Sequence, residues 1–176
     1  MREALKPLLQ ALRFERSAFS WMDFNDRATG DALVFVIVTR FLMYLGFGGT
    51  LFRTLTSLGA LESLFFSLVN ALVFWLAYAG LVLVVAKYLF QGSGTYAFYL
   101  RATGFAYPTM LATVVTFRLD LPVLLALLLG AVWFMLIVTR AVQYESELPV
   151  ERAAATAGLA MVGWILVALI LKHGLI

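Results

Sequence analysis

Arg40, in "VFVIVTRFLMYL", puts a permanent charge eight residues into an apolar run. Insertion scales set the cost of a charge near mid-bilayer at no less than ~2.5 kcal/mol, so such a residue pairs, faces a cavity or reaches for the headgroups. Few side chains are available to it. Asn70 is the one amide inside an apolar run, and Thr103 and Tyr107 carry hydroxyls in another. Pro108 has no N–H for the carbonyl of Gly104, four residues back, which predicts a kink and a free acceptor there. Counted from the starts of their runs, Arg40 and Gly104 are both about 12 Å deep at 1.5 Å per residue. Matching depth predicts that the guanidinium meets that carbonyl, with Thr103 or Tyr107 beside it. The alternatives are a lipid phosphate drawn inward, or snorkelling with a thinned bilayer. A guanidinium with five N–H donors suits a carbonyl plus one or two hydroxyls, a stabilising and static site.

Other chemistry is scarce. There is no cysteine, and His173 is the single histidine. That removes disulfides, thiolate metal sites and thiol nucleophiles. Glu145, Glu147 and Glu151 are close in sequence, but they lack a histidine and are flanked by Arg140 and Arg152. They read as a solvated loop leading into a helix start, where acidic residues are favoured. No nucleophile elbow, zincin or phosphate-loop motif occurs. The expectation is a non-enzymatic protein with no cofactor and no metal.

The elements that position these residues follow from composition. Apolar residues make up 63% of the 176-residue chain, charged residues 13%, and mean hydropathy is +0.95. Soluble domains carry roughly 25% charged residues, so the class is an all-α polytopic membrane protein. Five runs suffice for crossings of about 20 residues: residues 32–52, 63–86, 96–117, 121–142 and 153–171. They form one domain over residues 28–176, a five-helix bundle. The third run carries Arg101, Thr103, Gly104, Tyr107 and Pro108 and has no wholly apolar face, so it is expected at the bundle centre. Arg101, five residues in, is expected to snorkel to the headgroups.

Residues 1–27 form a separate amphipathic segment. Leu5, Leu8, Leu9 and Leu12 recur at helical spacing, with the helix expected to begin near Pro7. Lys6, Arg13, Arg16 and Trp21 are the candidate lipid-interface residues. The other reading is a helix packed on the bundle's own end. With the N-terminus inside, nine basic residues are cytosolic and only Arg53, Arg118 and Lys172 lie opposite. The positive-inside rule therefore predicts a cytoplasmic N-terminus and, after five crossings, an extracytoplasmic C-terminus in the cell's inner membrane. Expected partners are membrane lipids, a protein within the membrane and a second copy of the chain, not nucleic acid.

An amphipathic segment, five close spans, the run "GSGTYAFYLRATGFAYPTML" and Arg152-Ala153 in the last loop together resemble the Ypt-interacting-protein (Yip) domain family in its short bacterial form. The resemblance covers roughly residues 28–171. It implies a five-helix bundle acting as a scaffold or accessory subunit. The Asp-Leu-Tyr-Gly-Pro motif of eukaryotic relatives has no counterpart, so their GTPase binding is not implied. The alternative function is a small-solute permease or channel along the third span.

Overall fold

The computed structural model describes residues 2–48, 56–119 and 122–174. Residues 49–52 of the first expected span, Arg53 and the 120–121 junction lie outside them. Among the described residues there is helix and no strand. Two short helices come first, α1 (Arg2–Leu12) and α2 (Arg16–Phe24). Then follow α3 (Ala28–Gly46) and α4 (Leu58–Val84), the latter running on through a π-turn at Val85–Leu89. Next come α5 (Tyr96–Ala106), a 3₁₀ segment (Tyr107–Met110) and α6 (Leu111–Arg118). The chain closes with α7 (Val123–Ser146) and α8 (Val150–Gly174).

Among the described residues, four helices are long and apolar enough to cross a membrane: Ala28–Gly46, Leu58–Leu89, Leu127–Ser146 and Val150–Ile170. The third expected run is not a single long helix because Pro108 divides it. A proline cannot donate to Gly104, so the chain tightens to i→i+3 bonding and the Tyr107 N–H takes that carbonyl instead. Backbone angles stay right-handed at Tyr107 and Leu111, so α5, the 3₁₀ turn and α6 follow one another without a reversal.

α5 is the centre of the molecule. All residues from Phe98 to Ala106 are buried, and the helix packs against α3, α4 and α7. Gly104 permits the closest approach: a Cβ there would lie 2.5 Å from the Ala32 Cβ and 3.1 Å from the Trp75 Nε1. Trp75 donates to the Leu100 carbonyl at 2.8 Å, and Tyr78 donates to the Ala157 carbonyl at 3.0 Å. Both bonds tie α4 to a neighbour while satisfying a buried polar tip. The small-residue contact of α8 uses Ala153, Ala157 and Ala160, which are fully buried, while Ala154 faces outward.

The near end of the bundle carries α1, α2 and the 90–95 loop; the far end carries the end of α3 and the start of α4. α1 begins at Arg2, five residues before the expected start, with Pro7 inside it. The proline removes only the bond to the carbonyl of Glu3, an exposed residue of the first turn. The leucine stripe divides. Ala4, Pro7 and Ala11 face the bundle with Leu8 and Leu12 beside them, while Leu5 and Leu9 remain half exposed. The Trp133 indole of α7 donates to the Leu12 carbonyl at 3.3 Å and caps the helix end.

Candidate functional site

Arg40 does not meet Gly104. Its Nε donates to the Ser67 hydroxyl at 2.7 Å and to the Ser67 carbonyl at 3.3 Å. The reason is register. α3 and the α5–α6 stretch run parallel, with partners 72 positions apart at Thr29–Arg101, Ala32–Gly104 and Gly46–Arg118. Arg40 is thus level with Ala112, two turns beyond Gly104, or about 12 Å. Counting from the apolar runs misplaced the two helices by two turns: α3 starts four residues earlier, at Ala28, and α5 begins a further four residues before it in their shared register. Arg40 is twelve residues from Ala28 and six from Gly46, so it lies closer to the far end, about 9 Å in.

Two cavities meet at its side chain. One, of about 540 Å³, lies between the far ends of α3 and α4 and is lined by Arg40, Tyr44, Ser57, Ser63 and Ser67 among others. The second, of about 180 Å³, lies further in and is lined by Arg40, Asn70, Phe74, Tyr107 and Trp164. Tyr44 donates to the Ala60 carbonyl at 3.0 Å across the first. The terminal nitrogens of Arg40 have no hydrogen-bond partner among the described residues. Nor does the Asn70 amide, which is exposed and lines the inner cavity. A guanidinium presenting unused N–H donors to hydroxyl-lined space is a recognition group for an anion or a carbonyl oxygen.

The expected cluster therefore separates. Arg40, Asn70 and Tyr107 come together. Thr103 is spent within its own helix, donating to the carbonyls of Tyr99 at 2.8 Å and Leu100 at 3.1 Å. Gly104 is a packing position, and Pro108 sets the 3₁₀ turn that carries Tyr107. Ser63 and Ser67 went unnoticed in the sequence. With Asn70 they stand at i, i+4, i+7 in "SLFFSLVN", a polar stripe on an oily helix.

No family model matches the chain, and no curated protein or solved structure does.

Arg101 corrects a second expectation. It does not snorkel; it is 7% exposed. Its Nε donates to the Thr29 hydroxyl at 2.9 Å, and its NH1 to the Met22 and Asp23 carbonyls at 2.8 and 3.1 Å. Its NH2 pairs with Asp26 at 2.7 Å. One side chain thus caps the carboxyl end of α2 and joins it to the first turn of α3. A cation suits the carbonyl end of a helix.

At the near end, Glu145 accepts from the Thr95 N–H at 2.9 Å, and Ser146 donates to the Ser93 carbonyl at 2.6 Å. These bonds fix the 90–95 loop to α7. Among the described residues no three His, Cys, Asp or Glu side chains group as a metal site. Lys6 is exposed on α1 and Arg13 in the turn after it, Arg16 lies over the Tyr144 ring at 5.6 Å, and Trp21 packs against Phe105 at 5.8 Å.

Proposed function

We propose that this is a non-enzymatic, five-crossing protein of the cell membrane that binds a small anionic or polar solute at Arg40 and passes it across. The α5–3₁₀–α6 stretch is the additional crossing: it lies alongside α3 from Thr29 to Gly46. The positive-inside count puts the N-terminus and the near end in the cytoplasm and the far-end cleft outside. The observation that carries the reading is the Arg40 guanidinium, whose terminal nitrogens have no hydrogen-bond partner among the described residues where two cavities meet. An intramembrane cation without a carboxylate partner is costly unless something else compensates it. Tyr107 stands on the 3₁₀ turn, a common form of backbone joint, so a change there would reshape the inner cavity.

A second reading, an accessory or scaffold subunit like the Yip proteins that the sequence resembles, is favoured by the near half. Trp75, Tyr78, Phe105 and Phe134 are buried there, and they close the bundle below the cleft.

One experiment separates the two. The chain has no cysteine, so Ser63→Cys gives a single thiol. Labelling by an impermeant maleimide in intact cells is expected, followed by uptake of labelled sulfate or phosphate into proteoliposomes that Arg40→Gln abolishes. Labelling without uptake of any small anion favours the scaffold. A thiol reached only from the cytoplasmic side overturns the orientation.

A further inference from the structure

Among the described residues, three that are not glycine have left-handed backbones: Phe14, Gln91 and Glu147. Two of them line the same cavity. It measures about 300 Å³, sits where the α1–α2 turn meets the end of α7, and also takes in Arg16, Arg140 and Tyr144. Phe14 follows the end of α1 at φ +63°, and Glu147 is the C-cap of α7 at φ +53°. Glycine is the usual residue at such caps because it carries no Cβ penalty. A non-glycine residue in this region costs of order 1–3 kcal/mol, and such strain gathers at functional sites. Here two helix ends retain it, and both keep a side chain on one cavity.

The charges lining that cavity have not neutralised each other. Arg16 stacks over Tyr144 at 5.6 Å, and Arg140 NH1 donates to the Gln143 Oε1 at 3.1 Å. Neither arginine is within ion-pair distance of Glu147, although all three side chains line the same space. Two guanidiniums and one carboxylate held apart suit a ligand carrying both signs. We propose that this cavity binds the headgroup of an aminophospholipid of the ethanolamine type. The phosphate bridges Arg16 and Arg140, and the ammonium pairs with Glu147.

The arrangement along α7 has the correct polarity for a lipid. Arg140 is six residues, about 9 Å, inside the end of the helix at Ser146, and Glu147 lies just beyond that end. In a phospholipid the phosphate is attached to the glycerol and lies deeper than the amine it carries. Guanidinium is a good partner for phosphate oxygens because it offers paired N–H donors. Tyr144 is a ring of the type that settles at headgroup depth. The inference rests on α7 crossing the membrane, which its length and composition allow. It does not depend on what Arg40 binds.

The test is native mass spectrometry of the full chain. The protein is released from vesicles holding equal parts of phosphatidylethanolamine, phosphatidylglycerol and phosphatidylcholine. Retention of the ethanolamine lipid about fivefold above the glycerol lipid is expected, equivalent to about one kcal/mol. Arg140→Gln should lower its retention about tenfold. Glu147→Gln should remove the preference between the two lipids while leaving phosphate binding. Glu147→Gly should remove the preference and also raise the melting temperature, since it relieves the left-handed cap. Retention blind to headgroup overturns the proposal, as does a Glu147→Gly variant that is more stable with its preference intact. Should Arg140→Gln fail to fold, the two Glu147 variants decide the matter by themselves.

Discussion

Two arginines enter the helical bundle, and the fold treats them in opposite ways. Arg101 is buried among acceptors: two carbonyls, one hydroxyl and one carboxylate, all between 2.7 and 3.1 Å. Arg40 has one hydrogen-bond partner among the described residues, Ser67, and borders two cavities. A residue placed to hold structure is satisfied on every side, because an unmet buried donor costs about 1–3 kcal/mol. A residue placed to bind keeps donors unused until its ligand arrives. The difference separates the near end, where α1, α2 and α3 are joined into a base, from the far end, where α3 and α4 separate around a cleft.

The hardest test of this contrast is Arg101→Gln. It leaves the Met22 and Asp23 carbonyls without their cation and α2 without its tie to Thr29. A loss of about 3 kcal/mol is expected, the low end for breaking a buried charged network. Asp26 is fully exposed, so Asp26→Asn should do far less than Arg101→Gln. Thermal melting in detergent measures both, and limited proteolysis should cut the 12–28 segment early in Arg101→Gln alone. A melting curve unchanged by Arg101→Gln would remove the structural half of the comparison.

Gly104→Ala should follow in size. Its new Cβ meets Ala32 at 2.5 Å, and the Ala32 Cα and Trp75 Nε1 at 3.1 Å. Two of these are backbone-borne atoms that do not swing away, so about 2 kcal/mol is expected, within the range for overpacking. Ala32→Gly in the same chain should recover about half of it, since the partner Cβ is then gone. Absence of rescue would mean that the 72-residue register between α3 and α5 is wrong.

That register is the part of the fold hardest to read from residues alone. Helical content, the apolar runs and the polar third run follow from composition and period, which local sequence carries. The placement of α3 against α5 does not. It depends on where α3 begins and on its stagger against α5, and "ATGDALVFV" hides that start because Thr29, Gly30 and Asp31 are helical without being apolar. The start of α3 is four residues earlier than its apolar run, and α5 begins four residues before α3 in their shared register; together these make two turns, enough to give Arg40 the wrong partner. Asn70 and Tyr107 were still legible as its neighbours because long side chains span such gaps. Ser67 was not, since a serine among leucines looks like filler until its spacing with Ser63 and Asn70 is noticed. Arg101 was misread for a different reason. Depth alone cannot tell a headgroup from the carbonyl end of a second helix, and both satisfy a guanidinium.

Arg40→Gln should have a smaller effect on stability than either change above. It gives up a half-buried pair with Ser67 and also removes an intramembrane charge, so the two contributions oppose each other. A change within about 1 kcal/mol is expected. The ligand response should be lost nevertheless: small anions that raise the melting temperature of the native chain should leave the variant unmoved. Arg40→Lys is the sharper probe. It keeps the charge and loses the fork, so a cleft that needs paired donors should respond weakly, and one that needs only charge should respond in full. A large destabilisation by Arg40→Gln would make Arg40 a structural residue like Arg101, and the contrast between them would disappear.

The smallest expected effect tests whether the break at Pro108 and the charge at Arg40 are connected. Depth counted along the sequence links them, since a proline-freed carbonyl would serve as the arginine's acceptor. On that view Arg40→Leu orphans the Gly104 carbonyl, and Pro108→Ala rescues it. The register separates them: the Tyr107 N–H already occupies the Gly104 carbonyl, and Arg40 is two turns away. The double variant should then equal the sum of the single ones, with a coupling below about 0.5 kcal/mol, as for sites that share no partner. Pro108→Ala alone should be mild. It restores an N–H for the carbonyl, but the 3₁₀ turn is also held by Thr109, whose hydroxyl donates to the Ala106 carbonyl at 2.8 Å. Melting curves of the four chains suffice. A coupling well above that bound would mean that Arg40 and the turn act as one element after all, and Tyr107, the residue on that turn which reaches the Arg40 cavity, would be the side chain through which they do so.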